Sequence, residues 1–266
     1  MLKKRFPIDF FYMIVTLLLS VIIVHAIYTT VVRPQAEATL RGWDERWKTE
    51  PTYAPTRSVM VIVHDFEPEA CFILTVWAGF ILGFRWFIMA RERALLEHEF
   101  IGLKGGQVIF PDDIREFSRQ IEQLPDDKQR LFLPRALKVV MNRFGATRSV
   151  QHSASAARDE CEFEASRLDA ELSLIRFSVW AIPAVGFVGT VRGIGAALQQ
   201  AQRAAAGDVT GVTHGLGITF NSTLVALTLC IVVMFFLHQL QLSQDRLVLD
   251  IKSYIDEHLI RHLRER

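Results

Sequence analysis

Apolar residues gather in four blocks along the chain, at residues 10–32, 70–90, 177–198 and 216–237, and most of the charged residues fall between them. Each block is close to the ~20 residues a helix needs to cross the hydrocarbon of a bilayer. The pattern predicts an all-α integral membrane protein with four transmembrane helices, two in an N-terminal pair and two in a C-terminal pair. The stretches 1–9, 33–69, 91–176, 199–215 and 238–266 are left as termini and connections.

Charge orients the blocks. Lys3, Lys4 and Arg5 precede the first one, and 91–176 is dense in arginine and lysine, whereas the connection 199–215 holds Arg203 against Asp208. Positive residues mark the cytoplasmic side. Both termini and 91–176 are therefore expected in the cytoplasm, with 33–69 and 199–215 on the periplasmic side of a bacterial inner membrane. The 33–69 stretch is the less clear case, because its five basic residues are offset by Glu37, Asp44, Glu45, Glu50, Asp65, Glu67 and Glu69. The basic start, the apolar run and Val24-His25-Ala26 also resemble a signal peptide with its cleavage site. Apolar character that continues to Val32 favours a retained span.

The cytoplasmic stretch reads as helical. Asp112 and Asp113 after Pro111 are cap candidates for a helix through Leu124, and Asp126 and Asp127 after Pro125 for one running toward Phe144. Gly105-Gly106 marks a break. From Ser149 no proline intervenes until Pro183, so a long helix is expected to run into the third block. Phe163, Leu168 and Leu172 lie near helical spacing on it and predict a face packed on a neighbour. The C-terminal 238–266 is expected to be a solvated tail helix.

Composition changes this picture little. Half of the 266 residues are hydrophobic, 22% are charged and the net charge is +1, averages that a soluble globular protein also shows. Cys71, Cys161 and Cys230 are scattered, so neither a disulfide framework nor metal-ligand spacing is indicated. His258 and His262 are four apart, but no carboxylate or thiolate is placed to complete a metal site. No phosphate loop, nucleophile elbow or pair of catalytic acids is present, and nothing points to an enzyme, an organic cofactor or a nucleic-acid partner.

The candidate chemistry lies in the last two blocks. GFVGTVRGIG, residues 186–195, puts glycines, a threonine and an arginine inside a span, where a full charge costs ~3 kcal/mol on insertion scales. Gly186, Gly189 and Gly193 share one helix face, where small residues let another helix approach closely. In the fourth block Thr219, Ser222 and Thr223 lie at i, i+3 and i+4, with Asn221 nearby. Such hydroxyls either line a polar path or bond their own backbone carbonyls one turn back. Arg192 lies about 24 Å along the helix from Arg176 at 1.5 Å per residue, near the outer interface. It either snorkels there or holds a carboxylate from a partner or from the outer connection.

IPAVGFVGTVRGIGAAL and HGLGITFNSTLVALTL together resemble the MotA/TolQ/ExbB family of proton-driven motor subunits, which carries a proline before a GTV-x-G run in one span and a glycine-to-threonine run in the next. The similarity spans the second to fourth blocks and the cytoplasmic connection, and the extra first span looks like the four-span MotA layout. The resemblance implies five copies of this chain, a homopentamer, around the single-span helices of two partner subunits of the MotB/TolR/ExbD kind. An aspartate on the partner then carries protons, with sodium the alternative coupling ion. It also implies that Thr190 and Thr223 face the pore, with Thr219, Ser222 and Asn221 along the same path. TolQ and ExbB place a glutamate five residues before the second threonine, and Ile218 stands there in this chain.

That departure matters, because hydroxyls relay protons through water but do not store one. His25 lies outside the matching motifs and His238 at the inner end of the fourth block. A proton-carrying acid is therefore expected from another chain, and the alternative is a non-conducting scaffold that binds a partner helix in an envelope complex.

Overall fold

The computed structural model describes residues 6–50, 53, 56–97, 100, 108–201, 205, 207 and 209–265, and only the backbone of 6–9, 210, 211, 214, 215 and 218. Lys3, Lys4, Arg5, the Gly105-Gly106 break, Arg203, Asp208 and the side chain of Ile218 lie outside the described residues. In chain order the helices are α1 (Phe6–Ile27), α2 (Arg33–Thr49), α3 (Val59–Val63), α4 (Phe66–Leu95), α5 (Ile114–Glu122), α6 (Asp126–Gln129), α7 (Phe132–Thr147), α8 (Val150–Glu171), α9 (Ser173–Gln199) and α10 (Thr210–His258). Among the described residues there is no strand, only an isolated bridge between Ile109 and Leu263. Among the described residues, four helical stretches are long and apolar enough to cross a membrane: Phe10–Thr49, Phe66–Leu95, Val150–Gln199 and Thr219–His262.

The chain divides into two units, one from residues 1–82 and 174–237, the other from 83–173 and 238–266. In the first, the helix expected to end at Val32 runs on. A π-helical turn, Tyr28–Val32, leads into α2. Pro34, which has no N–H to give, follows directly on this widened π-helical turn. The 33–69 connection is therefore largely helical, with α3 following α2. Tyr12 donates its hydroxyl to the Phe80 carbonyl at 3.2 Å and Trp77 its indole N–H to the Met13 carbonyl at 3.0 Å, tying α1 to α4. Beyond these, Val24, Tyr28 and Val32 pack with Phe72, Ile73 and Val76 of α4 and with Met60 and Val63 of α3.

The same unit leaves large apolar side chains uncovered, including Trp180, Phe187, Phe220, Ile231 and Phe235. Water tolerates contiguous apolar patches of only a few hundred Å² on a monomer, so the solvent of these faces is lipid or another helix. Pro183 lies inside α9 and cannot donate to the carbonyl four residues back, that of Val179. Cys230 of α10 donates its thiol to that carbonyl at 3.3 Å, a replacement partner of the kind a proline in an apolar medium needs. Cys71 makes a similar bond to the Ile182 carbonyl at 3.5 Å. Two of the three cysteines that looked idle in the sequence, Cys71 and Cys230, thus satisfy backbone groups.

The second unit is built on α7, which buries Phe132, Leu133, Leu137, Val140, Met141 and Phe144. The single helix expected from Asp126 to Phe144 is two, α6 and α7. Pro134 explains the break, because continuing the helix through it would drive its ring into the carbonyl of Arg130, whereas in the first turn of α7 it is tolerated. Leu131 offers no capping side chain, and Glu92 of α4 takes that role by accepting the Phe132 N–H at 2.8 Å. Against α7, α8 presents Ser153, Ala156, Ala157, Cys161 and Glu164. Phe163, expected on the packed face, is 62% exposed instead, since the small side chains are what let α7's bulky ones come close.

An ion-pair chain borders this contact: Arg135 meets Glu160 at 2.8 Å and Glu164 at 2.6 Å, Arg167 meets Glu164 at 3.0 Å and Glu171 at 3.4 Å, and Arg85 meets Glu171 at 2.6 Å. Burial opposes the charge on Arg135, but its bonds to Glu164 and Glu160 outweigh that and hold its pKa above the ordinary value. The C-terminal end is not a solvated tail. Ile251, Ile255, Leu259 and Leu263 are buried there, and the backbones of His262 and Arg264 pair with that of Ile109. His258 stacks on Tyr254 with ring centroids 4.2 Å apart, while His262 lies in a 3-10 turn. No metal-holding cluster is present among the described residues.

Candidate functional site

The glycine face of α9 packs antiparallel on α10 of the same chain. A Cβ at Gly186 would overlap that of Ala226, one at Gly189 would lie 2.8 Å from the Ser222 Cβ, and one at Gly193 would overlap the Thr219 hydroxyl and lie 3.2 Å from the Thr219 Cα. The three glycines are therefore notches into which Ala226, Ser222 and Thr219 fit. This settles the identity of the approaching helix: it is the chain's own last span. It also turns Thr219 and Ser222 inward, at 0% and 2% exposure. Both side chains, expected along a polar path, pack into the glycine notches of α9.

Thr190 and Thr223 stand at the edge of this seam, half-buried, with their hydroxyls hydrogen-bonded to each other. Each hydroxyl also lies 3.3 Å from the carbonyl oxygen of Gly186. For Thr190 that carbonyl is the one a turn back in its own helix; for Thr223 it belongs to the other helix. The backbone-bonding account and the cross-helix account thus meet at one oxygen. Asn221 and Thr223 line an open groove of 770 Å³ together with Trp43, Trp47, Val61 and Phe220. Thr190 is not among its lining residues, so the structure joins Thr190 to Thr223 and Asn221 to the groove, with Thr223 common to both.

Arg192 does not end in a free headgroup. Its Nε lies 2.6 Å from Glu67 Oε1 and its Nη2 2.8 Å from Glu67 Oε2, with Asp65 Oδ1 at 3.6 Å. Glu67 belongs to the first turn of α4, where acids also complement the helix dipole. Two residues on, Glu69 accepts from His25 Nδ1 at 2.7 Å and is paired with Arg33. The carboxylate for Arg192 comes from the 33–69 connection of the chain itself. Glu67 and Glu69 were missed as site residues because they read as part of the mixed-charge 33–69 stretch. The available signal was an arginine inside one span and two acids at the start of another.

Residues 127–253 match the family model of the MotA/TolQ/ExbB proton channel family. That stretch, just under half of the chain, is similar to the family. The match contains both halves of the glycine–hydroxyl seam and all of α7, α8 and α9. It begins after α4, so the second span, included in the motif resemblance, lies outside it. No curated protein and no solved structure matches the chain.

Proposed function

We propose that the chain is the multi-span subunit of a proton-motive-force-driven motor in a bacterial inner membrane, with both termini cytoplasmic. Five copies surround two single-span partner helices, and an aspartate on the partner carries the proton past the Thr190–Thr223 pair. The observation that carries this reading is that pair: two half-buried hydroxyls brought together beside a glycine seam, within the stretch that matches a proton-channel family. Each charge crossing ~100 mV releases about 2.3 kcal/mol, enough to bias a step between near-equivalent positions of a ring. Protons are the proposed coupling ion, with sodium as the alternative. The mechanism uses no organic cofactor, no metal and no enzymatic step.

A second reading, a non-conducting scaffold that holds a partner helix, draws on a specific observation. No Asp or Glu lies in the cores of the last two apolar blocks, and Thr190 and Thr223 already satisfy each other. Proton flux into liposomes separates the two. Purified chain alone is expected to leak little, and chain co-reconstituted with a single-span partner carrying an intramembrane aspartate is expected to conduct. Flux from the chain alone equal to that of the complex contradicts the dependence on a partner acid, and no flux from either favours the scaffold.

A further inference from the structure

Gly189 is the point where three helices meet. A Cβ there would lie 2.8 Å from Ser222 of α10 and 3.1 Å from the Cγ of Glu67 of α4. At about 100° of rotation per residue, Arg192 lies roughly 60° to one side of Gly189 on α9 and Thr190 roughly 100° to the other. The Glu67–Arg192 ion pair and the Thr190–Thr223 hydroxyl pair therefore flank the same notch.

We infer that the Glu67–Arg192 ion pair is a clamp that fixes the rotation of α9 and so keeps the hydroxyls of Thr190 and Thr223 together, which makes Glu67 and Arg192 positioning residues of the hydroxyl pair. Two parallel bonds from the guanidinium fork to both carboxylate oxygens fix an angle as well as a distance, which a point charge does not. The Glu67 side chain is 11% exposed, so water competes weakly for it, and Arg192 removed from it leaves a buried carboxylate uncompensated. Glu67 is itself anchored. Glu69, in the same turn of α4, is held by His25 and Arg33 on another side, so Arg192 draws α9 against a fixed post rather than a free one. Asp65 adds a second negative charge 3.6 Å from Arg192.

The test uses a ruler that does not depend on ion conduction. Thr190→Cys and Thr223→Cys are introduced together in the full chain in membranes, and copper(II) phenanthroline is added. Two thiols lose two protons to water and two electrons to copper(II) as the S–S bond forms, and the linked 190–223 peptides are quantified by mass spectrometry. The clamp predicts cross-linking about tenfold slower in Glu67→Gln and in Arg192→Gln, about threefold slower in Arg192→Lys, and restored to within about threefold by the exchange Glu67→Arg with Arg192→Glu. Unchanged cross-linking in both glutamine variants overturns it, as does an exchange no faster than the single variants. Should the glutamine variants not reach the membrane, Arg192→Lys decides on the same ruler, unchanged cross-linking again counting against the clamp. The consequence for function rests on the motor reading: in chains that keep both threonines, proton flux falls in the order Arg192→Lys, then Arg192→Gln. Slowed cross-linking with unchanged flux upholds the clamp and counts against the motor reading alone.

Discussion

The α7–α8 contact and the α9–α10 contact both set a strip of small residues against a neighbour, yet different forces hold them. Along α8 the strip is Ser153, Ala156, Ala157 and Cys161, and α7, which packs on α8, buries Phe132, Leu133, Leu137, Met141 and Phe144. Burying each such large side chain is worth ~1.5–3 kcal/mol in water. Along α9 the strip is Gly186, Gly189 and Gly193, and it receives only Ala226, Ser222 and Thr219. Lipid offers no hydrophobic gain there, so the seam relies on close packing and on hydroxyls. The first contact is held by volume and the second by fit, and a fitted seam of small polar side chains leaves room for chemistry that a volume-packed core does not.

If that contrast holds, the fitted seam fails when anything is added and the volume-packed one when anything is removed. Gly193→Val carries the largest expected effect, since its Cβ alone overlaps the Thr219 hydroxyl. We expect loss of the α9–α10 contact and of oligomer assembly, read by native electrophoresis of membrane extracts; normal assembly would break the comparison. Leu137→Ala comes next. Leu137 is fully buried, so the cost is about 2–5 kcal/mol, read as faster amide hydrogen exchange along α7 and α8 in the full chain, with the 190–223 seam unaffected. Acceleration confined to α9 and α10 would contradict the assignment.

The repeat of small residues at helical spacing was enough to read a close helix contact in α9, because glycine spacing reports a face directly. The partner of that face was not legible: spacing says that a helix approaches, not which one, and the chain's own last span took the place given to another helix. The same limit hid Glu67, 125 positions from Arg192 in sequence, and the thiol–carbonyl bond that compensates Pro183. Four spans were legible from apolar length alone. Where helices broke was less so. Pro134 forced a boundary that the Asp126 and Asp127 signals obscured, and Phe163 kept helical spacing with Leu172 while pointing away. The family resemblance was carried by the seam, and the matching stretch, 127–253, is narrower than the motif reading that ran back to the second span.

The hydroxyl pair is where function and fold come apart, so it carries the smallest expected effect on stability. Replacing Thr190 and Thr223 together by valine removes both partners of a hydrogen bond without leaving either unpaired, at a cost within about 1 kcal/mol. Valine keeps the shape that the seam requires. The decisive measurement is proton flux in vesicles holding the double variant with its partner, at matched assembly. The account predicts a fall of about tenfold or more, the size of a lost step of ~1.4 kcal/mol in the barrier. Flux equal to that of the unaltered chain would contradict it and leave the two hydroxyls as a helix-packing contact.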